Sequence, residues 1–257
     1  MTDRTREYER RLALFDRLME ELSLNAVLLT SEARNTGQLG VKYLADYSIN
    51  ARRSFAFLKR GEQPWLFLAS QDEVFSARRR SWLPQERIIQ GDPLACTLRA
   101  LHEGLGNIEQ PRVGLYEPGE LPVSVWRALE DTGAELVDMT QRFTELRASK
   151  SDYEIEQTRD ASRLAVASFE WVLENIRPGM TEREVLGGAQ GYLIAHGGSE
   201  LLVMGRCEKV HSFIGKPTGA VLPANGMFTY SCEFSGSEGY WTQMARPIFM
   251  TREAEPE

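Results

Sequence analysis

The segment SCEFSGSEGYWTQMARPIF, Ser231 to Phe249, carries several reactive or hydrogen-bonding side chains within a short stretch. A thiol stands at Cys232 and an amide at Gln243, with Tyr240 and Arg246 close by. A thiol becomes a nucleophile only when a neighbouring base generates the thiolate. Because the sequence assigns no histidine beside Cys232, a small buried core residue is the simpler interpretation.

Gln243 can hydrogen-bond a substrate amide or carboxylate, or it can satisfy neighbouring backbone groups. Both interpretations stay open. Tyr240 and Arg246 are candidates for lining the same pocket, although an aromatic side chain on a strand more often belongs to a core. Adjacent residues of a strand point to opposite faces, so Glu233 is expected to face solvent and not to replace Cys232 unless a bulge shifts the register.

Proton transfer at neutral pH calls for a group such as histidine, whose ordinary pKa is about 6.5. The chain has three histidines: His102, His196 and His211. His211 precedes the hairpin and is the candidate catalytic residue, with an ordinary polar loop histidine as the competing interpretation. His102 in a polar helix and His196 at a helix end, where a cation favours the helix dipole, are weaker candidates.

Charge and hydropathy exclude some partners. The net charge of -7 argues against nucleic acid as the main partner. No apolar run approaches the ~20 residues that cross a bilayer, and the start MTDRTREYERR is too charged for a secretory signal. We therefore predict a cytoplasmic protein with neither a nucleic-acid nor a membrane partner. Three cysteines without C-x-x-C spacing predict reduced thiols.

The elements of the first half alternate between helix and strand. Apolar residues at helical spacing predict a helix over Thr5 to Leu24, and NAVLLTS predicts a strand. RSFAFLKRGEQPWLFLA predicts a hairpin, and helices are expected over DEVFSARRRSW, PLACTLRALHEGL and PVSVWRALEDTG, with a strand at RVGLYEP. This alternation predicts a small α/β domain with an open sheet.

From Thr144 the pattern changes to two long helices. The first ends at IRPGM, and Thr181 with Glu184 predicts a capping box for the second. The second helix is expected to end at Gly197-Gly198, because glycine accepts the left-handed conformation that closes helices. We place a domain boundary near Ala148.

Three motifs in order, LRASKSDYEIEQTRDASRLA, IRPGMTEREV and GMFTYSCEFSGSEGYWTQMARP, resemble the creatinase and Xaa-Pro aminopeptidase family with its pita-bread fold. The upstream VKYLADYSINARRSFAFL is similar to the N-terminal domain of that family. The resemblance implies an α/β protein: a creatinase-type N-terminal domain over 1–147, then the first part of a pita-bread α+β catalytic domain over 148–257. The family's catalytic domain continues well beyond this hairpin, so the chain is expected to be a fragment or a truncated relative, inactive alone.

The resemblance also concerns metal ligands. Counting along the hairpin puts the family's two metal-binding aspartates on Cys232 and Gln243, and its arginine on Arg246. Divalent ions of this kind prefer hard, anionic oxygen donors, which a thiol and a neutral amide do not supply. We therefore expect neither metal nor other cofactor, and a divalent metal pair only if other ligands rebuild the site.

Two further roles come from the resemblance. It places a substrate-facing histidine in the segment of His211, although a match through Gly215 would put that histidine on Ile214. Creatinase-like relatives are dimers in which an N-terminal-domain arginine reaches the partner's pocket, and Arg52 is the candidate here. A surface strand arginine is the competing interpretation. The glutamate expected beside the hairpin arginine is replaced by Ala245, so a carboxylate for a guanidino group is missing.

Three functions remain open. The first is metal-independent hydrolysis of a C–N bond in a small amide or amidine, with His211 shuttling the proton. In it, Gln243, Tyr240 and Arg246 line the pocket and Arg52 comes from the second subunit of a homodimer. The second is a metal-dependent Xaa-Pro aminopeptidase acting on peptides. The third is a non-catalytic binding protein that keeps the pita-bread fold.

Overall fold

The computed structural model describes residues 3–32, 39–49, 52–208 and 214–250. The chain divides into two compact units, Met1–Lys150 and Ser151–Glu257. Within the described ranges, none of the helices combines the length and apolar character that crossing a bilayer requires.

The first unit alternates helices and strands. Its helices are α1 (Asp3–Glu21), α2 (Leu39–Ala45), α3 (Gln71–Arg80), α4 (Pro93–Leu105), α5 (Val123–Glu130) and α6 (Thr140–Leu146). Its strands are β1 (Ala26–Glu32), β2 (Arg53–Lys59), β3 (Trp65–Leu68), β4 (Ile88–Gln90), β5 (Arg112–Leu115) and β6 (Glu135–Asp138). The predicted helices, strands and β2–β3 hairpin are confirmed, with boundaries shifted by a few residues.

These strands form one six-stranded sheet in the order β4-β3-β2-β1-β5-β6. The β1–β2 and β2–β3 pairs are antiparallel, whereas β1–β5, β3–β4 and β5–β6 are parallel. Alternate residues of β1 enter different cores, with Val27 and Leu29 on one face and Ala26 and Leu28 on the other. Helices therefore cover both faces, as the almost continuous apolar run of β1 requires.

A buried ion pair within α1 also contacts α2. Glu7 and Arg11 are 3% and 2% exposed, and the Arg11 Nε donates to Glu7 Oε1 at 2.6 Å. The Arg11 guanidinium also donates to the Tyr43 carbonyl and lies over the rings of Tyr43 and Trp82, at 4.2 and 4.8 Å. The charges are thus paired and packed as buried charges must be.

The second unit contains two helices and three strands: α7 (Asp152–Asn175), α8 (Glu182–Ala195), β7 (Ser199–Glu208), β8 (Met227–Ser235) and β9 (Trp241–Phe249). The predicted capping box at the start of α8 is confirmed by reciprocal hydrogen bonds between Thr181 and Glu184. Gly197 takes a φ of +94° just after α8, which confirms the predicted helix end.

The three strands form an antiparallel sheet in the order β7-β8-β9. One face packs against α7 and α8 through the even-numbered residues of β8, namely Phe228, Tyr230, Cys232 and Phe234. The opposite face carries the odd-numbered residues of β8, where Thr229, Ser231 and Glu233 alternate with that apolar set. Strand β8 therefore turns its apolar residues to the core face and its polar residues to the opposite face. We call the opposite face the polar face after these β8 residues, although Trp241 and Phe249 of β9 also lie on it.

Candidate functional site on the second sheet

The polar face of the second sheet brings together Glu233 and Gln243. Regular β8–β9 pairing sets these two residues directly opposite each other, without a bulge. The Gln243 Nε2 donates to Glu233 Oε1 at 2.9 Å. Glu233, expected to face solvent, is half-buried and engaged in this pair.

Cys232 lies on the other side of the sheet. It is fully buried, so the expectation of a small core residue is confirmed. Burial raises the pKa of its thiol, and the nearby charge of Glu233 adds to that increase, whereas the Tyr230 hydroxyl and the Met244 amide oppose it. A thiol held protonated in an apolar core is a poor nucleophile.

Two hydroxyls lie in the centre of the polar face. Ser231 is 0% exposed and Thr229 is 4% exposed. Neither side-chain oxygen has a hydrogen-bond partner among the residues that the structure describes. Both residues precede Glu233 on the same face of β8. Their hydrogen-bonding capacity is therefore unmet within the described residues, although both hydroxyls are buried.

Arg206 adds a positive charge beside Thr229 on this face. It pairs with Thr229 across β7 and β8. Its Nε is buried without a partner within the described ranges, and its guanidinium lies against Gly215, whose missing side chain leaves room for it. Arg206 lies outside the quoted motifs, whereas Thr229 and Ser231 lie inside one of them. The sequence analysis singled out none of the three, because only strand pairing groups them.

The other predicted hairpin residues lie apart from this face. Arg246 is exposed, and by strand alternation it projects from the face of β9 opposite to Gln243. Its Nη1 donates to the carbonyl of Ala245. Tyr240 is half-buried at the start of β9, with its ring 6.3 Å from that of Tyr153 in an edge arrangement. A pocket shared by Gln243 and Arg246 is therefore not formed by the hairpin alone.

Arg52 lies in the first unit, immediately before β2, and is exposed. Its φ of +63° is in the left-handed region, which a non-glycine residue rarely adopts. Such backbone conformations cost free energy and cluster at functional sites. No hydrogen bond or ion pair links Arg52 to the part of the chain that the structure describes.

The principal histidine candidate, His211, lies outside the described residues. His102 is exposed in the last turns of α4. His196 ends α8, where its Nδ1 is 2.8 Å from the Tyr192 carbonyl and its ring stacks on the ring of Tyr192. Neither described histidine lies on the second sheet.

Glu182 was missed by the sequence analysis, which treated it only as part of a capping segment. It is 0% exposed and accepts hydrogen bonds from the Cys207 amide at 3.0 Å and from the Thr218 amide and hydroxyl at 2.7 and 2.8 Å. Burial by itself raises the pKa of the Glu182 carboxyl. The hydrogen bonds and the positive charge of Arg206 outweigh burial, so the pKa lies below its ordinary value. Glu182 thus fastens β7 and the segment before β8 to the start of α8.

The donor set does not suit a pair of divalent metals. Across the described ranges, no group of three or more histidine, cysteine, aspartate or glutamate residues is arranged to hold an ion. The two positions that the family fills with aspartate hold a buried thiol and a neutral amide, on opposite faces of the sheet. Divalent ions require convergent oxygen donors, so these residues do not fit the family's metal centre.

Comparison with known proteins supports the fold described above. The Creatinase/Prolidase N-terminal domain profile matches residues 11–149, more than half of the chain. The chain belongs to the creatinase/prolidase family. No curated protein sequence gives a significant match.

Solved structures extend the likeness to both units. An Xaa-Pro dipeptidase from Bacillus anthracis is 20% identical, with a TM-score of 0.68, over 94% of this chain and 64% of its own. An X-Pro aminopeptidase from Thermotoga maritima is 17% identical, with a TM-score of 0.74, over 94% and 64%. A prolidase from Pyrococcus furiosus is 17% identical, with a TM-score of 0.72, over 92% and 70%.

These comparisons confirm the expected fold class, a creatinase-like α/β domain followed by the first part of a pita-bread domain. The chain spans about 64% of the length of the first two of these structures. At such low identity the likeness concerns the fold and not the activity.

Proposed function

We propose that the polar face of the second sheet binds a small amide or amidine without a divalent metal pair, and that the protein hydrolyses its C–N bond. The observation that carries this proposal is the Glu233–Gln243 hydrogen bond on a face that also holds two unpartnered hydroxyls.

The geometry of this pair suits an N–H donor. Because the Gln243 amide nitrogen is used on Glu233 Oε1, the Gln243 carbonyl and Glu233 Oε2 remain as acceptors. Two acceptors side by side match the two N–H groups of an amidine, and the carboxylate favours its cationic form.

Hydrolysis adds water to the carbon of the C–N bond, so a C–O bond forms, the C–N bond breaks and the leaving nitrogen takes a proton. A group near neutral pKa must move that proton, and His211 is the residue whose chemistry fits. Arg246 and Tyr240 lie apart from this face, so the proposal assigns them no contact with the substrate. In a homodimer, Arg52 of the second subunit is proposed to hold a carboxylate of the substrate.

Calorimetric titration with benzamidine and acetamide tests binding directly. Glu233→Gln removes the charge and is expected to weaken benzamidine binding by about tenfold or more, as loss of a charged hydrogen bond does. Glu238→Gln changes another glutamate of the same hairpin and is the matched control. Equal affinities of wild type and Glu233→Gln would overturn the proposed binding face.

Turnover is tested by amine or ammonia release from a panel of amides and amidines, with and without a chelator. The proposal expects release that the chelator leaves unchanged and that His211→Ala abolishes. Loss of activity on chelation, with two bound ions per chain by mass spectrometry, would instead support a metal-dependent peptidase.

A non-catalytic binding protein is the second candidate, and the buried, protonated Cys232 together with the neutral Gln243 favours it. Benzamidine binding that depends on Glu233, with no release from any amide, amidine or Xaa-Pro peptide, is its expected result.

A further inference from the structure

A cleft lies between α4 and α5 of the first unit. Its volume of about 590 Å³ is in the usual range for sites that take small molecules. The buried and half-buried residues that form its floor are apolar and come from both helices: Leu98, Leu101, Leu105 and Ala128. The exposed polar residues that form its rim are His102, Gln110, Asp131 and Thr132. Every residue that lines the cleft belongs to the first unit.

Two helix ends meet at this cleft. Helix α4 ends at Leu105 and α5 ends at Glu130, and the residue after each end, Gly106 and Asp131, lines the cleft. The carbonyl groups of the last turn of a helix have no amide partner within the helix. The helix dipole therefore gives each such end a partial negative charge of about half a unit. Both ends favour a cation at the same opening.

The carboxylate of Asp131 adds a full negative charge. Asp131 is the C-cap of α5, and its amide donates to the Arg127 carbonyl at 2.9 Å. No ion pair or hydrogen bond reaches its exposed carboxylate from the residues that the structure describes. A carboxylate at the C-terminus of a helix is unfavourable for the helix itself. Helix stability therefore does not explain this carboxylate, and within the described ranges neither lysine nor arginine lines the cleft to neutralise it.

Two residues after α4 complete the rim. Gln110 has a φ of +52°, a left-handed conformation that is uncommon outside glycine and clusters at functional sites. Its side-chain amide has no hydrogen bond within the described part of the chain, so its carbonyl oxygen is an acceptor for a ligand. Ile108 is 39% exposed and adds an apolar group to the same rim. The rim thus offers hydrogen-bond acceptors beside apolar surface.

We propose that this cleft binds a small organic cation, namely a protonated amine carried on an apolar ring or chain. The ammonium group donates to the Asp131 carboxylate and to the Gln110 carbonyl, while the apolar part covers the leucines of the floor. An ammonium group has donors and no acceptor, which matches these oxygens. An anion would meet Asp131 and two negative helix ends. The inference concerns a second site and does not depend on the proposed chemistry of Glu233.

Calorimetric titration with phenethylammonium tests the proposal, with phenethyl alcohol as a neutral ligand of nearly the same shape. The buffer is of low ionic strength, because salt screens exposed charges, and at about pH 8, where histidine side chains are mostly neutral. Wild type is expected to bind the ammonium at least about tenfold more tightly than the alcohol, because a hydrogen bond to a charged group is the stronger one. Equal affinities, or no binding of either ligand, would overturn the proposal.

Asp131→Asn removes the charge of the cleft and is expected to weaken phenethylammonium binding about tenfold. Glu130→Gln removes the neighbouring charge from the same helix end but lies outside the cleft, so it should keep the wild-type affinity. Both variants remove a carboxylate that opposes the dipole of α5, so neither should lower the urea midpoint of unfolding. An equal loss of affinity in both variants would contradict a site at Asp131.

Two further variants locate the ligand. Ala128→Leu fills part of the floor with a good helix former and is expected to weaken the binding of both ligands, and circular dichroism checks that the variant is folded. Glu233→Gln on the second sheet should leave phenethylammonium binding unchanged. Binding that Ala128→Leu leaves intact, or that Glu233→Gln removes and Asp131→Asn does not, would place the cation elsewhere and overturn the proposal.

Discussion

The two sheets of the molecule differ in how completely they are covered. The six-stranded sheet of the first unit has an apolar core on each face, and helix α1 beside it contains a buried ion pair. The three-stranded sheet of the second unit has an apolar core on one face, and its other face combines the buried hydroxyls of Thr229 and Ser231 with the Glu233–Gln243 pair and exposed aromatic side chains. The sheet of the first unit is thus organised for stability, and the sheet of the second carries the face proposed for binding.

The difference follows from the strand sequences. Strand β1 reads AVLLTSE and is buried at all but its last residue, which requires cover on both sides. Strand β8 reads MFTYSCEFS, in which aromatic or apolar residues alternate with polar ones. Alternation of this kind gives a sheet with one face in a core and one face for water or a ligand.

The largest expected effect tests the buried network of the first unit. Glu7→Ala leaves the guanidinium of Arg11 in a buried place without its carboxylate, which typically costs about 3–5 kcal/mol. Glu20→Ala, an exposed change on the same helix, should alter the free energy of unfolding by less than ~0.5 kcal/mol. Urea denaturation measures both, and equal stability of the two variants would contradict the assigned role of this network.

The next effect concerns Glu182, the buried carboxylate of the second unit. Glu182→Gln is expected to cost about 1–3 kcal/mol at neutral pH, because an ionised acceptor of three hydrogen bonds is lost.

Its pH dependence follows from the lowered pKa. A carboxyl group whose pKa is lower in the folded state stabilises fully above its unfolded pKa of about 4.3 and loses that contribution as the pH falls through the folded pKa. The acid side of the stability curve should therefore flatten in Glu182→Gln and persist in the exposed control Glu174→Gln. Parallel wild-type and Glu182→Gln curves would show that this carboxyl group is not coupled to folding.

A smaller effect is expected from two buried serines, Ser168 of α7 on the core side of the second sheet and Ser231 of β8 on the other side. The Ser168 hydroxyl is 2.7 Å from the Tyr230 hydroxyl on the core side, so Ser168→Ala should destabilise by about 1–2 kcal/mol. The Ser231 hydroxyl has no partner in the described residues, so Ser231→Ala should be neutral or stabilising by up to ~1 kcal/mol. A similar loss in both variants would place an unrecognised hydrogen-bond partner beside Ser231.

The smallest expected effect is a difference in alkylation rate between the Cys232 thiol and the other two thiols of the folded protein. Cys96 and Cys207 are partly exposed and should react with iodoacetamide under native conditions, whereas Cys232 should react only after unfolding. Peptide mass spectrometry at several times measures the three rates. Native labelling of Cys232 at the rate of Cys207 would show that the core beneath β8 opens readily.

Local signals in the sequence were sufficient for most of the fold. The T-x-x-E capping box, the glycines after α8 and the apolar periodicity of α1 act over a few residues, so they can be read without tertiary information. The S-x-x-E pattern at Ser151 carried the same signal and was missed, although the structure shows a complete capping box there.

The site was less predictable because it depends on pairing between strands. Counting along the hairpin related Cys232 to Gln243, whereas the register pairs Gln243 with Glu233 and sends Cys232 to the core. A shift of one residue changes the face of every side chain. Arg206 and Glu182 acquire their roles from residues distant in sequence, which single-sequence patterns do not reveal.

The segment before β8 has a consequence for the mechanics of the second unit. The Gly205 amide donates to the Gly215 carbonyl, and Glu182 accepts from the Thr218 amide a few residues further along. In mechanical terms this segment is clamped at two points, so the outer edge of β7 and the start of α8 bear a load together.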